Sequence, residues 1–211
     1  MPQPTGPLVE PARSGPLTVG TYLGSWLDHA RARVRANTHD GYEALIRLHA
    51  SPHLGPVLLT DLHPLLIQRL YTDLLAKGLS GGTVLNLRLV LTQALAQAVR
   101  WGLIGANPAG GAQPPRPTRP QITLVDPSLA ERILQAVKGT PFEVPAAVAI
   151  ATGMRRGEVL ALRWSDLDRD LSVAHVRRSL QCGGVRLCFE EPMTRRSRRA
   201  VALPPSSSPT C

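Results

Sequence analysis

The sequence predicts a mainly α-helical protein with a small β-hairpin or sheet towards its C-terminal end. Three observations carry that expectation. The composition is 43% hydrophobic but only 4% aromatic, so the core is built from Leu, Val and Ala, and Leu and Ala are strong helix formers. Apolar residues recur at helical spacing through the first hundred residues. Beyond a Pro-rich stretch, short runs such as Leu171 to Arg178, bounded by Gly183-Gly184, read as strands with a turn.

Residues 1–16 read as a disordered leader, rich in Pro and poor in large apolar groups. Val19, Leu23, Trp26, Leu27, Ala30 and Val34 define a first helix. Asn37-Thr38 is a pair suited to N-capping, and the second helix is expected after it, with Tyr42, Leu45, Ile46 and His49 on its apolar face. The stretch Ser51 to Pro64 is punctuated by Pro and Gly and reads as a connector. Pro64 fits the first turn of a third helix striped by Leu66, Leu70 and Leu74 and closed by Gly78. Ser80 caps a fourth, whose face is Val84, Leu87, Leu91, Ala94, Leu95, Ala98 and Trp101, with Gly102 closing it. A four-helix domain therefore spans 17–104. Residues 105–121 form a Pro-rich, semi-rigid linker, which reads either as a strap across a DNA backbone through Arg116 and Arg119 or as a plain tether.

The second domain is expected from 122 to 205, with 206–211 as a disordered tail. Asp126-Pro127 opens a helix to about Val137. Phe142 to Ala151 reads as a buried helix broken by Gly153, and Arg156 to Leu162 as another. Val185 to Glu190 and Ala200 to Leu203 read as further strands.

The net charge is +9, and apart from Lys77 and Lys138 every lysine-or-arginine cation is Arg. That balance points to a polyanionic partner, or else reflects a GC-rich coding sequence. Cys182, Cys188 and Cys211 are odd in number and match no disulfide framework. They find no His or Cys partners to complete a four-ligand metal site. The N-terminus lacks the apolar core of a signal peptide, and Glu143 and Pro145 interrupt the best candidate membrane span. A cytoplasmic location follows as the expectation.

The most informative segment is Thr152 to Asp168, TGMRRGEVLALRWSDLD. It resembles the first catalytic box of the tyrosine recombinases of phage-integrase type. The resemblance extends over about residues 17–205, through the four-helix segment, the WGLIGANPA passage and the run EEPMTRRSRRAVALP. It implies an N-terminal SAM-like core-binding domain followed by the first part of an α+β catalytic domain. It also implies DNA integration and site-specific recombination through a 3′-phosphotyrosyl link, with neither metal nor cofactor. Arg155 matches the first phosphate-clamping Arg, whose fork suits phosphoryl transfer. Glu158, one turn on, is placed to hold that guanidinium.

Other parts of the family pattern are not matched. The hairpin Lys is replaced by Met193, which has no proton to donate and no charge. Arg195, Arg196, Arg198 and Arg199 remain as candidates for backbone phosphates but are poor acids. No second box, His-x-x-Arg, follows the hairpin, and no later Tyr. His175 to Arg178 matches that box as a string, but residues three apart on a strand face opposite sides. Tyr22, Tyr42 and Tyr71 lie on apolar helix faces and read as core.

In the first domain, candidate DNA contacts are Ser80 and Thr83 at a helix start, where free N–H groups favour phosphate. Asn86 and Arg88 follow one turn on, and Arg35 and Thr38 flank the second helix start. Gly81 and Gly82 remove side chains there. The reading is a DNA-binding integrase-family chain that does not cleave DNA alone. Its partners are double-stranded DNA and other protomers or full-length integrase, with no membrane and no small-molecule substrate. The rival readings are a non-catalytic regulator at recombination sites, a pseudogene remnant, and an assembly in which another protomer supplies Tyr.

Overall fold

The structure is a computed structural model that describes residues 16–115, 124–168, 172–183, 186–190 and 198–203. The chain divides into two compact units, 1–119 and 120–211.

The first unit is helical. Thr18 caps α1 (Val19–Arg31) by accepting from the Thr21 amide at 3.3 Å. Its buried stripe is Val19, Tyr22, Leu23, Trp26 and Ala30. α2 (Ala36–Leu45) begins one residue before the expected cap pair: Arg35 is the N-cap, with no side-chain cap bond. The Arg35 carbonyl already accepts from the Thr38 and His39 amides, so Asn37 and Thr38 are drawn into the first turn.

The expected connector after residue 50 is a further correction. The helix runs on as a π-turn, Ile46–Ala50, into α3 (Ser51–Leu54). Pro52 has no N–H to donate and its ring crowds the preceding turn. Widening the turn, so that Ser51 bonds to the Ile46 carbonyl, relieves that crowding.

α4 (Pro64–Ala76) buries Ile67, Leu70, Tyr71 and Leu74. Leu66 sits at the edge of the core rather than within it. Ser80 caps α5 (Gly81–Arg100), which supplies Val84, Leu87, Val90, Leu91, Ala94, Leu95 and Ala98 to the centre. Gly78 and Gly102 take the left-handed φ that ends α4 and α5. The chain then stays on this unit. Ala109 and Ala112 are buried in its core, and the Asn107 amide donates to the Thr92 carbonyl at 3.0 Å. The first residues read as linker are thus packed, whereas Arg116 and Arg119 lie outside the described residues.

One buried polar bond crosses this core: the Tyr22 hydroxyl donates to the Ala94 carbonyl. Tyr22→Phe is expected to lower the unfolding free energy of this unit by about 1 kcal/mol in urea denaturation. An unchanged midpoint would show that the bond adds nothing.

The second unit is thinner. Asp126 caps α6 (Pro127–Val137), accepting from the Leu129 amide at 2.8 Å. α7 (Glu143–Thr152) ends at Gly153, whose φ of +64° a larger residue would strain to adopt. α8 (Arg156–Leu160) follows. β1 (Leu167–Asp168), β2 (Val173–Val176) and β5 (Arg199–Ala202) form an antiparallel sheet in the order β1-β2-β5, with Ala174 opposite Val201 and His175 opposite Ala200. β3 (Ser179–Gly183) and β4 (Arg186–Glu190) form a separate hairpin.

The expectation of a buried helix at Phe142–Ala151 is not met: neither α6 nor α7 has a buried residue. α7 is apolar on nearly every side, and its main helical neighbour is α6, so Phe142 (69% exposed) and Val144 (70%) face solvent. The buried apolar residues of this unit, among those described, are Met154, Ala161, Ala174 and Val176. No described helix is long and apolar enough to cross a membrane.

Candidate functional site

The segment Thr152 to Asp168 folds as turn, short helix and turn, and two of its three acids, Glu158 and Asp166, are buried. Thr152 Oγ1 accepts from the Met154 amide, and Met154 is buried beside it. Arg155 is the N-cap of α8, and Glu158, three residues on, turns back to accept from the Arg155 backbone amide at 2.9 Å. This is the acid half of a capping box.

Glu158 is 6% exposed and accepts four hydrogen bonds among the described residues. Arg199 on β5 grips it with both ends of its fork, Nη1 to Oε1 at 2.9 Å and Nη2 to Oε2 at 2.8 Å. Arg155 Nη1 reaches Oε1 at a longer 3.3 Å. The Arg199 fork above all holds the Glu158 carboxyl down at about 2; burial pushes the other way, and the Arg155 amide and guanidinium add to the lowering.

A second buried acid repeats the pattern. Asp166 accepts from Arg178 Nη2 at 2.7 Å and from the Arg163 backbone amide at 3.1 Å. Burial raises its carboxyl, but the bonds from Arg178 and Arg163 and the charges of Arg178 and Arg177 outweigh that and leave it below the ordinary range. Glu158 and Asp166 therefore tie α8 and the turn after it to β5 and to the segment beyond β2.

This arrangement corrects the expectation that Arg199 is a candidate for a backbone phosphate. Glu158 does hold Arg155, but its main partner is Arg199. Arg199 is therefore committed inside the fold rather than offered to a phosphate. In His175 to Arg178, Arg178 lies beyond β2 and is bonded to Asp166, so the pair makes no joint grip. His175 instead lines a shallow cavity of about 440 Å³ with Arg177, Arg198 and Arg199. The i, i+2 alternation along β2 could have placed His175 and Arg177 on one side. Nothing in the local pattern signalled that Arg199, of the four hairpin arginines, would turn inwards.

Arg155 is one of three exposed arginines of the motif, with Arg156 and Arg163; its side chain is 77% exposed and is anchored by Glu158. Met193, Arg195 and Arg196 lie outside the described residues, whereas Arg198 is exposed at the edge of β5.

In the first unit, Ser80 and Thr83 satisfy one another: Ser80 Oγ accepts from the Thr83 amide at 3.1 Å and meets Thr83 Oγ1 at 2.9 Å. Asn86 and Arg35 are exposed, and Thr38 and Arg88 are half-buried. Arg88 buries Nε without a hydrogen-bond partner. His39, Asp40 and Glu43, which the sequence reading passed over, bring three potential ligand atoms together on α2.

Comparison with known proteins agrees with this fold and motif. Residues 18–75 match the family model for the phage integrase N-terminal SAM-like domain. An integrase from Saccharopolyspora erythraea is 27% identical over 169 residues, 79% of this chain and 39% of that protein. A XerC-like tyrosine recombinase from Caldanaerobacter subterraneus subsp. tengcongensis is 26% identical, covering 92% of this chain and 54% of that one. Among solved structures, the Tn1549 transposon integrase in complex with transposon right end DNA is 25% identical, with a TM-score of 0.75 over 90% of this chain and 62% of that one. The chain is thus similar to tyrosine recombinases over most of its length, and its fold is that of a SAM-like helical domain followed by the first part of an integrase catalytic domain. It spans about half the length of the curated relatives it matches.

Proposed function

We propose that this chain binds double-stranded DNA as a protein of site-specific recombination and DNA integration, and that these 211 residues do not cleave DNA by themselves. The observation that carries the first part is Arg155, an exposed guanidinium pinned by a buried carboxylate in a unit that also presents Arg177 and Arg198. A planar fork held in that way suits a phosphate, which it meets through two parallel hydrogen bonds. Arg35, Thr38, Asn86 and Arg88 add contacts from the helical unit, and Ser80 and Thr83 set the start of α5 rather than serving as the main anchors.

The second part rests on the tyrosines present. Tyr22 and Tyr71 are each 1% exposed, and burial pushes both phenols up, Tyr71 to about 12 against the partly opposing charge of Arg88. Tyr42 is stacked on Trp26 and bonded to Gln93. All three belong to the helical unit's core and its margin, and none is presented as a nucleophile. Met193 at the family's Lys position supplies no proton.

Binding to a duplex is expected to weaken steeply with salt, because each neutralised phosphate releases counterions. Arg155→Ala should reduce the slope of log affinity against log salt by about one. A nicked suicide duplex should give no covalent adduct. A salt-independent affinity would sink the DNA reading, and an adduct would sink the non-cleaving one.

A further inference from the structure

We propose that the shallow cavity of the second unit, lined by His175, Arg177 and Arg198, seats a phosphate group at a place separate from the one Arg155 meets. The strand pairing brings the three side chains together. His175 on β2 stands opposite Ala200 on β5, so the two share one face of the sheet. Arg177 and Arg198 lie two residues from His175 and Ala200, and strand alternation returns them to that face. Ala200 adds only a methyl, and the space beside it stays open as a cavity of about 440 Å³.

The charge of the lining selects the ligand. Among the described residues no Asp or Glu lines this cavity. Arg199 also lines it, but both ends of its fork are held by Glu158. Arg177 is differently placed: its side chain is 60% exposed, and Asp166 beside it is 3.9 Å away and bonded to Arg178 at 2.7 Å. A separation of 3.9 Å is beyond hydrogen-bond reach, so the Arg177 fork keeps its donors. His175 is half-buried, with no hydrogen bond to its ring among the described residues, and Arg198 is exposed.

Two guanidinium groups and an imidazole around one opening, with no acid among them, concentrate positive potential there. A phosphate oxygen pair matches the Arg177 fork through parallel hydrogen bonds, and its other oxygens remain for Arg198 and an imidazole N–H. Because the cavity is shallow, it suits a phosphate carried on a large partner, and the duplex backbone is the source that the DNA-binding reading supplies. Free phosphate brings the same oxygens. Arg199 lines the cavity and shares Glu158 Oε1 with Arg155, so a strand gripped by Arg155 passes close by. Two contacts flanking one ion pair would fix the direction of that strand across the unit.

The test follows the His175 ring by NMR in the full chain while inorganic phosphate replaces chloride at fixed pH and ionic strength. A saturable shift is expected at millimolar phosphate. Arg177→Ala should weaken it by at least about tenfold, through loss of charged hydrogen bonds. Asp166 keeps Arg178 in that variant, so its thermal melt should match the parent. Arg155→Ala should leave the phosphate titration unchanged. Added duplex should then displace the phosphate; a duplex that binds and leaves the phosphate in place would assign the cavity to free phosphate. Only this duplex arm rests on the DNA-binding reading: a chain that binds no duplex, yet shows the Arg177-dependent shift, would refute that reading and keep the cavity. The absence of a saturable shift, parental affinity in Arg177→Ala, or an equal loss in Arg155→Ala would overturn the proposal.

Discussion

Glu158→Ala is expected to destabilise the unit formed by residues 120–211 by about 3 kcal/mol, the cost of leaving a partly buried arginine without its acid. The residue is 6% exposed and accepts four bonds, two from Arg199 and two from Arg155. Its removal strands the Arg199 fork and an N-terminal amide of α8 together. The effect is large relative to the rest of the unit because so few apolar residues there are buried. Glu158→Gln should lose less, since one oxygen remains to accept. Hydrogen exchange of the β5 and α8 amides reads the change locally, and unchanged protection in the alanine variant would contradict it. The same pair sets a pH dependence. The Glu158 carboxyl is held from 4.5 down to about 2 in the folded chain. Its contribution is therefore whole above the ordinary glutamate range and is lost as pH falls through about 2. Acid unfolding of the parent should show this loss, and the Glu158→Ala chain should lack it.

Gly157→Ala is expected to cost about 2 kcal/mol, although the substitution normally favours a helix by roughly 0.5–1 kcal/mol. A Cβ at residue 157 would stand 2.5 Å from Ser179 Oγ and 2.6 Å from the Leu180 carbonyl oxygen. The hydroxyl can rotate away, but the carbonyl belongs to β3 and cannot yield without moving the hairpin off α8. The double variant Gly157→Ala/Ser179→Ala should therefore recover little. Stabilisation by Gly157→Ala in thermal melting would show that α8 and β3 are not in tight contact.

Much of the helical unit was legible because its signals are local. Thr18 and Ser80 cap, Pro64 opens, Gly78 and Gly102 close, and the Leu and Ala stripes keep helical period over α1, α4 and α5. The start of α2 was displaced because the Arg35 carbonyl outcompeted the side-chain cap that Asn37-Thr38 suggested. The π-turn before Pro52 was illegible because a proline reads as a break unless the preceding turn widens. In the second unit, apolar composition at Phe142 to Ala151 suggested burial, but burial depends on what packs against a helix, and α6 covers little of α7.

The sequence by itself carried the resemblance to tyrosine recombinases, through the spacing of TGMRRGEVLALRWSDLD, and the exposed Arg155 with its acid Glu158. Only the tertiary structure decided which arginine that acid binds. Arg199 lies 41 residues away, and a charge pair at that separation is selected by how β5 is laid against α8. The same holds for Arg178 on Asp166, and for His39, whose ring orientation depends on a carbonyl of the neighbouring helix. Periodicity and caps act within a few residues along the chain, whereas ion pairs and ligand sets act through space. Only the fold brings those distant partners together.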